Sequence, residues 1–486
     1  MQDLANWALE TARVRGASYA DARVMDIRHR DLSTKNGRVG TLAESESLGV
    51  GIRVVAQGSW GFASTDRLTR EGIAACAAEA VAIARASALA KRHNVEMVPE
   101  QAVQDTWQNP YVKDPFRIPL ERQLELLLAA DGEMARVKGV TLTETSMAFC
   151  RIEQVFASSI GSLIHQVKVQ SGAGIVATCF AGNEIQKRSY PNSFGGQHQL
   201  AGYELVESLD LIGNAPRVAE EAVALHSATP SPEGPKTLIL DSSQLGLQIH
   251  ESIGHPIELD RVLGMEANFA GMSFLTLEKL NHLRYGSSIV NVVADARLEH
   301  GPGLGTFGYD DEGVPAQCTP VITDGLFTGY LSNRETAKTI GLKRSGGTMR
   351  TESWNRLPMI RMTNISILPG TWRFEDLIAD TDDAILMETN RSWSIDDRRY
   401  HFQFSTEIAW EIKGGRRTRM LKNPSYSGIT TEFWNSCDAI CSGEHWTLWG
   451  TPNCGKGQPM QTMGTGHGAS PARFRNIKLG AAFAKP

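Results

Sequence analysis

Pro230-Ser231-Pro232-Glu233-Gly234-Pro235 divides this sequence into two parts of different texture. Its prolines and glycine stop the helix that residues 203–227 predict, and they make a stiff connector. Just beyond it, Thr237-Leu238-Ile239-Leu240 reads as a buried strand. His250-Glu251-Ser252-Ile253-Gly254-His255 follows. From there on the chain has more glycine, shorter strands and nearly all of its chemically suggestive clusters.

The first part reads as helices and strands in a recurring order. A helix over 2–16 precedes strands at 20–28 and 47–55, a hairpin through Ala56-Gln57-Gly58 and an Ala-rich helix over 68–91. A helix over 118–137 then precedes strands at 139–149, 152–157, 162–170 and 173–181, and the helix at 203–227 closes the block. The second part predicts a buried strand at 288–294, a hairpin over 321–331 turning at Thr323-Asp324-Gly325, and strands at 365–368, 385–387 and 402–412. A basic hairpin tip, Lys413-Gly414-Gly415-Arg416-Arg417, precedes a helix over 430–442.

The histidine motif carries the strongest chemistry. Two histidines flank a carboxylate, and neutral imidazole is the commonest protein ligand for zinc. The helical form H-E-x-x-H puts both rings on one face. Here the spacing is one residue longer, and five residues on an ideal helix leave the side chains roughly 140° apart. The motif therefore needs a distortion. Gly254 loosens the last turn and Pro256 biases His255 away from the α region. The expectation is a helix over 244–253 that breaks at Gly254 and swings His255 back towards His250. Glu251 would then be the general base on a metal-activated water.

The second informative stretch is Gly450-Thr451-Pro452-Asn453-Cys454-Gly455-Lys456-Gly457-Gln458. It nearly matches a phosphate-binding loop, but Gly457 stands where a hydroxyl is needed and Pro452 removes a backbone N–H. The following prolines and glycines cannot supply the required helix. The other reading makes Cys454 a thiolate ligand beside two histidines, leaving a fourth position open. Asp310-Asp311-Glu312, framed by glycines, predicts a tight loop near something positive or an acidic surface turn. Glu258 and Asp260 read equally as a solvated helix end or as part of a site.

Bulk composition sets limits. With 486 residues, 41% hydrophobic and 21% charged, the chain suits a soluble globular protein of two or three domains. A net charge of −5 gives no field favouring nucleic acid. No apolar run approaches the roughly 20 residues that span a bilayer, and the N-terminus lacks a signal-peptide pattern. Seven scattered cysteines read as reduced thiols of a cytoplasmic protein.

The histidine motif, the Asp310-Asp311-Glu312-Gly313 loop, Arg361-Met362-Thr363-Asn364 and Cys454-Gly455-Lys456 occur in the order found in TldD-type metallopeptidases. The chain resembles the TldD/PmbA family, specifically over 237–480 and more loosely before 230. The resemblance implies an α/β (α+β) protein of two domains. An N-terminal helix-plus-curved-sheet domain spans 1–230, and a C-terminal strand-rich metallopeptidase domain over 236–486 carries the metal site. It implies one Zn2+ per chain held by His250, His255 and Cys454, with Glu251 as the base. It further implies a peptide or unfolded polypeptide substrate, and a homodimer or a heterodimer with a related subunit that lacks the histidine motif. Pro459-Met460-Gln461-Thr462-Met463-Gly464 and the Trp-rich stretch from Trp434 to Trp449 depart from the family pattern. Two other readings remain: a non-catalytic, metal-stabilised binding or partner protein, and a metal-dependent amidohydrolase of small molecules. A closed site with a fourth protein ligand from Glu258, Asp260 or His467 would favour the first of these.

Overall fold

The computed structural model describes residues 1–268 and 271–480; the last six residues of the expected C-terminal domain lie outside them. Six strands form the main path of the first sheet. They are β1 (Tyr19–Lys35), β2 (Arg38–Ala56), β3 (Ser59–Thr65), β4 (Gln104–Gln108), β5 (Leu142–Ser158) and β6 (Leu163–Ala181), in the order β3-β2-β1-β5-β6-β4. Glu184–Tyr190 also pairs with β6. The two-residue loops Asn36-Gly37 and Gln57-Gly58 all have positive φ, the geometry that matches a tight hairpin to strand twist. Each half of the sheet is a helix, a meander of strands and a second helix, and the two meanders meet antiparallel at β1 and β5.

Strand alternation gives this sheet two different faces. Ala20, Ala22 and Val24 of β1 pack on the helices Gln2–Val14 and Arg70–Ala88. Met147, Phe149, Ala173 and Ile175 pack on Leu120–Ala135 and Leu211–Ser227. Residues between them, such as Asp21, Arg23 and Gln154, are buried on the opposite face, against the second part of the chain.

The second part holds two large sheets among its described residues, besides the short pair Met349–Arg350 and Met359–Ile360. One runs Asp383–Ile395, Gly234–Leu240, Ala472–Leu479, Ser425–Ile429, His401–Lys413, Arg416–Lys422 and Thr229–Pro230. The other runs Leu326–Phe327, Cys318–Thr323, Val292–Asp295, Asn364–Ile367, Gln461–Ala469 and Thr447–Lys456. One core, including Leu245, Ile249, Ile253, Val292, Ile365, Phe404 and Phe474, lies between them. The fold is thus mixed α/β with strand-rich sheets. The proline connector is no free tether: Thr229–Pro230 pairs in parallel with Arg416–Lys422, and Ser231 N donates to Lys422 O at 2.9 Å.

Two local expectations are corrected. The helix expected over 430–442 ends at Asn435, and Cys437–Ile440 pairs instead with Ala472–Leu479, so sheet pairing overrides helical pattern there. The helix expected over 203–227 is two helices, Glu204–Ser208 and Leu211–Ser227. Asp210, with φ 45°, turns the chain between them and caps the second by accepting from Gly213 N. Among the described residues no helix is long and apolar enough to cross a membrane.

Candidate metal centre

The helix bearing the histidine motif starts at Asp241, whose carboxylate accepts from Ser243 N at 3.1 Å and Gln244 N at 3.0 Å. It runs as α-helix over Ser242–Ile249 and then widens to a π-turn over His250–Gly254. This corrects the expected break at Gly254. His255 N donates to His250 O at 3.1 Å, the i→i+5 bond of a π-turn, and His255 keeps helical angles despite Pro256. One extra residue in the turn brings residues five apart onto one face, and the two imidazole centroids stand 4.8 Å apart.

Local chemistry supports the wide turn. Ser252 Oγ donates back to Gln248 O at 2.6 Å, a bond that bends helices, and the Ser252 carbonyl accepts from the Tyr285 hydroxyl. Trp434 Nε1 fixes the same Ser252 hydroxyl at 2.9 Å. Gly254 is needed for space: a Cβ there would lie 2.1 Å from Met362 Sδ.

Cys454 arrives from the other end of the chain, on the strand Thr447–Lys456. Arg361 is fully buried and spans this strand and its neighbour, donating to Cys454 O and, at 3.2 Å, to Gln461 O. From the first part of the chain, Gln197 donates to Leu448 O at 2.9 Å and accepts from Gly450 N at 3.0 Å. One donor atom from each of His250, His255 and Cys454 then lies within 4.8 Å of the others, and all three residues are buried. Two imidazoles and a thiol are a donor set that zinc accepts.

Hydrogen bonds fix which ring nitrogen each histidine offers. His467 Nδ1 faces the Ile365 carbonyl at 3.2 Å, so that nitrogen carries the proton and Nε2 accepts. His250 Nδ1 donates to this Nε2 at 2.7 Å, which leaves His250 Nε2 as a bare lone pair. His255 Nδ1 donates to Glu258 Oε2 at 3.0 Å, and its Nε2 lies 3.7 Å from Cys454 Sγ. Burial pushes the pKa of both His250 and His255 down, which favours neutral imidazole. For Cys454 burial works upward, but the Arg361 guanidinium and His255 outweigh it and bring the thiol below its ordinary value.

The two carboxylates after the motif belong to the site's surroundings. Lys456 donates to both Asp260 oxygens at 2.8 Å and to Ile360 O at 2.7 Å, and lies 3.3 Å from Glu258. Burial raises the Glu258 carboxyl, yet Lys456, His255 and Arg261 hold it well below the usual range. The lysine of the apparent phosphate loop is thus committed to protein carboxylates. Glu258 and His467 are committed behind the two histidines, so among the described residues the cluster gathers three donors and no fourth.

Glu251 is buried beside the cluster, and Arg399 Nη1 donates to its Oε2 at 2.7 Å. Sequence reasoning missed Arg399, which sits in an unremarkable Asp396-Asp397-Arg398-Arg399 turn. It also gave Arg361 and Lys456 no role at the site. Asp310-Asp311-Glu312 lies away from the histidines and docks on the first sheet. Asp311 accepts from Gln154 at 2.9 Å, Glu312 faces Arg53 at 3.2 Å, and Asp310 caps its own loop through Glu312 N and Val314 N. The expected positive neighbour is therefore Arg53, with Arg23 farther off at 3.9 Å from Asp311.

Comparison with known proteins agrees with this architecture. Residues 233–479 match the model of the PmbA/TldA metallopeptidase C-terminal domain, and residues 20–84 match that family's domain 1. A metalloprotease of Methanothermobacter thermautotrophicus is 30% identical over 95% of both chains. A zinc metalloprotease TldD homolog of Saccharolobus solfataricus is 25% identical over 44% of this chain and 46% of its own. Crystal structures of a Thermotoga maritima protein and of TldE from Thermococcus kodakarensis share the fold. Their TM-scores are 0.78 and 0.71 at 16% and 15% identity, covering 98% of this chain in each case and 99% and 100% of theirs. With a family model covering half the chain and a relative similar over nearly all of it, this chain belongs to the PmbA/TldA metallopeptidase family.

Proposed function

We propose that this chain is a zinc-dependent peptidase that hydrolyses unfolded or flexible peptides, with one ion held by His250, His255 and Cys454. The observation that carries this reading is the unspent face of the cluster. Both histidines use Nδ1 on protein partners, His255 Nε2 lies 3.7 Å from the thiol, and three donors leave a coordination position open. A bound zinc ion would polarise a scissile carbonyl and acidify water. Glu251, fixed by Arg399, takes the proton from the attacking water and delivers it to the leaving amine. His467 and Glu258 hold the two imidazoles in the tautomer that presents Nε2.

The substrate reading rests on the strand that carries Cys454. Thr447–Lys456 is the edge of its sheet; Gln197 occupies its backbone at Leu448 and Gly450, so an extended peptide would pair beyond them, which brings its backbone beside the donor set. Backbone pairing selects unfolded chain over side-chain identity. The domain division we adopt follows the connector, with 1–230 as the N-terminal domain and 236–486 as the metallopeptidase domain. The protein pairs with a second copy or a related subunit. It works in the cytoplasm, a reading that fits seven free cysteines.

Elemental analysis of the purified protein and of Cys454→Ser tests the ligand set. Near-stoichiometric zinc is expected in the first and a sharp loss in the second. Zinc unaffected by the substitution removes Cys454 from the set. Glu251→Gln should keep its metal while peptide hydrolysis falls by about 10²–10⁴. Normal cleavage by that variant would end the base assignment.

A further inference from the structure

A cavity of about 340 Å³ lies between the N-terminal sheet and the C-terminal part. Its floor is formed by alternate residues of β1, β5 and β6, including His29, Cys150 and Lys168. Its roof includes Arg350 and Met463, and Met463 is the cross-strand partner of Cys454. The cavity therefore adjoins the hairpin that brings the thiol to the donor cluster.

Two cations border this space without a direct anionic partner among the described residues. Lys168, half-buried on the floor, makes no side-chain hydrogen bond or ion pair with any described residue. Arg350 donates to three carbonyls, those of Met362 at 2.6 Å, Gly464 at 2.9 Å and Leu304 at 3.1 Å, and pairs with no carboxylate. Burial pushes Lys168 down and brings Arg350 down to about 10. Acidic groups also line the cavity, and Asp311 attracts both cations, but among the described residues no carboxylate lies within ion-pair distance of either. Asp310 is held by three backbone N–H groups, and Asp311 is engaged by Gln154 and Arg23. Asp31 is exposed to solvent and Glu352 half-exposed, and neither pairs with Lys168 or Arg350. A partly buried cation gains when an anion faces it, and a carboxylate is the anion a peptide supplies.

We propose that Lys168 and Arg350 form an anion subsite that receives a carboxylate of the bound peptide while its backbone lies beside the Cys454 hairpin. The ligand class rests on the peptidase reading. The carboxylate has two sources, the C-terminus of a short peptide or an acidic side chain.

Three probes separate these sources: N-acetyl-trialanine as the free acid, the same peptide as its amide, and an amide with glutamate as the last residue. Calorimetry on the full chain carrying Glu251→Gln, which spares the probes from hydrolysis, reads their affinities. At least one carboxylate probe should bind tenfold or more tighter than the neutral amide. The tighter of the acid and the glutamate amide identifies the source. Lys168→Gln should bring that ratio close to one, and Lys168→Arg should restore it, which rules out simple misfolding. Equal affinity of all three probes, or no detectable binding, overturns the subsite. Hydrolysis by the unaltered enzyme is read separately. Equal cleavage of all three probes overturns the subsite and leaves the peptidase. Preferential binding without any cleavage keeps the subsite and overturns the peptidase.

Discussion

Two clusters of buried chemistry lie in this protein, and they differ in what they leave unused. Around Arg53, the carboxylates of Asp21 and Glu312 are turned on one guanidinium. The guanidinium donates twice to Asp21 Oδ2, at 2.7 and 2.9 Å, and faces Glu312 at 3.2 Å, while Arg334 N donates to Glu312 at 2.8 Å. Around the histidine motif the Nδ1 atoms of both imidazoles are also taken, but one donor atom each of His250, His255 and Cys454 converges to within 4.8 Å of the others. A cluster whose donors are all spent joins two parts of a fold. One whose lone pairs converge can take an ion. Sequence shows the same residue types in both, so content alone does not separate them.

The sharpest way to break this comparison is at Arg53. Its substitution by Met strands Asp21 and Glu312, both buried, without their cation, which should destabilise the fold by about 3–5 kcal/mol. Denaturant unfolding reads the loss, and metal content per folded molecule should stay constant. A fall in metal with unchanged stability would show that the two clusters are not separate. His467→Phe acts on the other side. It removes the acceptor of His250 Nδ1 without touching a proposed ligand, and second-layer losses of this kind weaken metal by about 10–100-fold. Competition against a chromophoric chelator measures this. Unchanged affinity would mean that His250 holds its tautomer without help. The smallest effect is expected at Gly254, where Gly254→Ala places a methyl against Met362 Sδ. The thioether is flexible, so a cost near the low end of overpacking, about 1 kcal/mol, is expected in the melting temperature. A loss of several kcal/mol would mean that the π-turn itself depends on this contact.

Much of the architecture was readable because it rests on local rules. The tight Gln57-Gly58 loop, the strand expected at 20–28 and the proline stop after residue 227 follow from φ preferences and period-two burial. The boundaries inside 203–227 and 430–442 were misread because pairing with distant strands and a turn at Asp210 override helical pattern. At the site, the need for a distortion followed from the five-residue spacing, but its form did not. The break assigned to Gly254 and Pro256 is a continuous π-turn. Its support comes from Tyr285 and Trp434, which are far away in the chain.

The sequence by itself determined which residue types were available: two histidines around a glutamate, a late cysteine among glycines, and a proline connector between two textures. Tertiary structure alone decided what each became. Lys456, in a loop that mimics a phosphate binder, turned to Asp260, and the acidic loop became a joint between the two parts of the chain. Arg399 and Arg361 entered the site with no local signature. The physical reason is that a side chain's chemistry depends on which partners burial forces upon it. Those partners lie roughly 100–260 residues away for Arg361, Gln154, Arg53, His467 and Gln197, beyond the reach of any spacing rule.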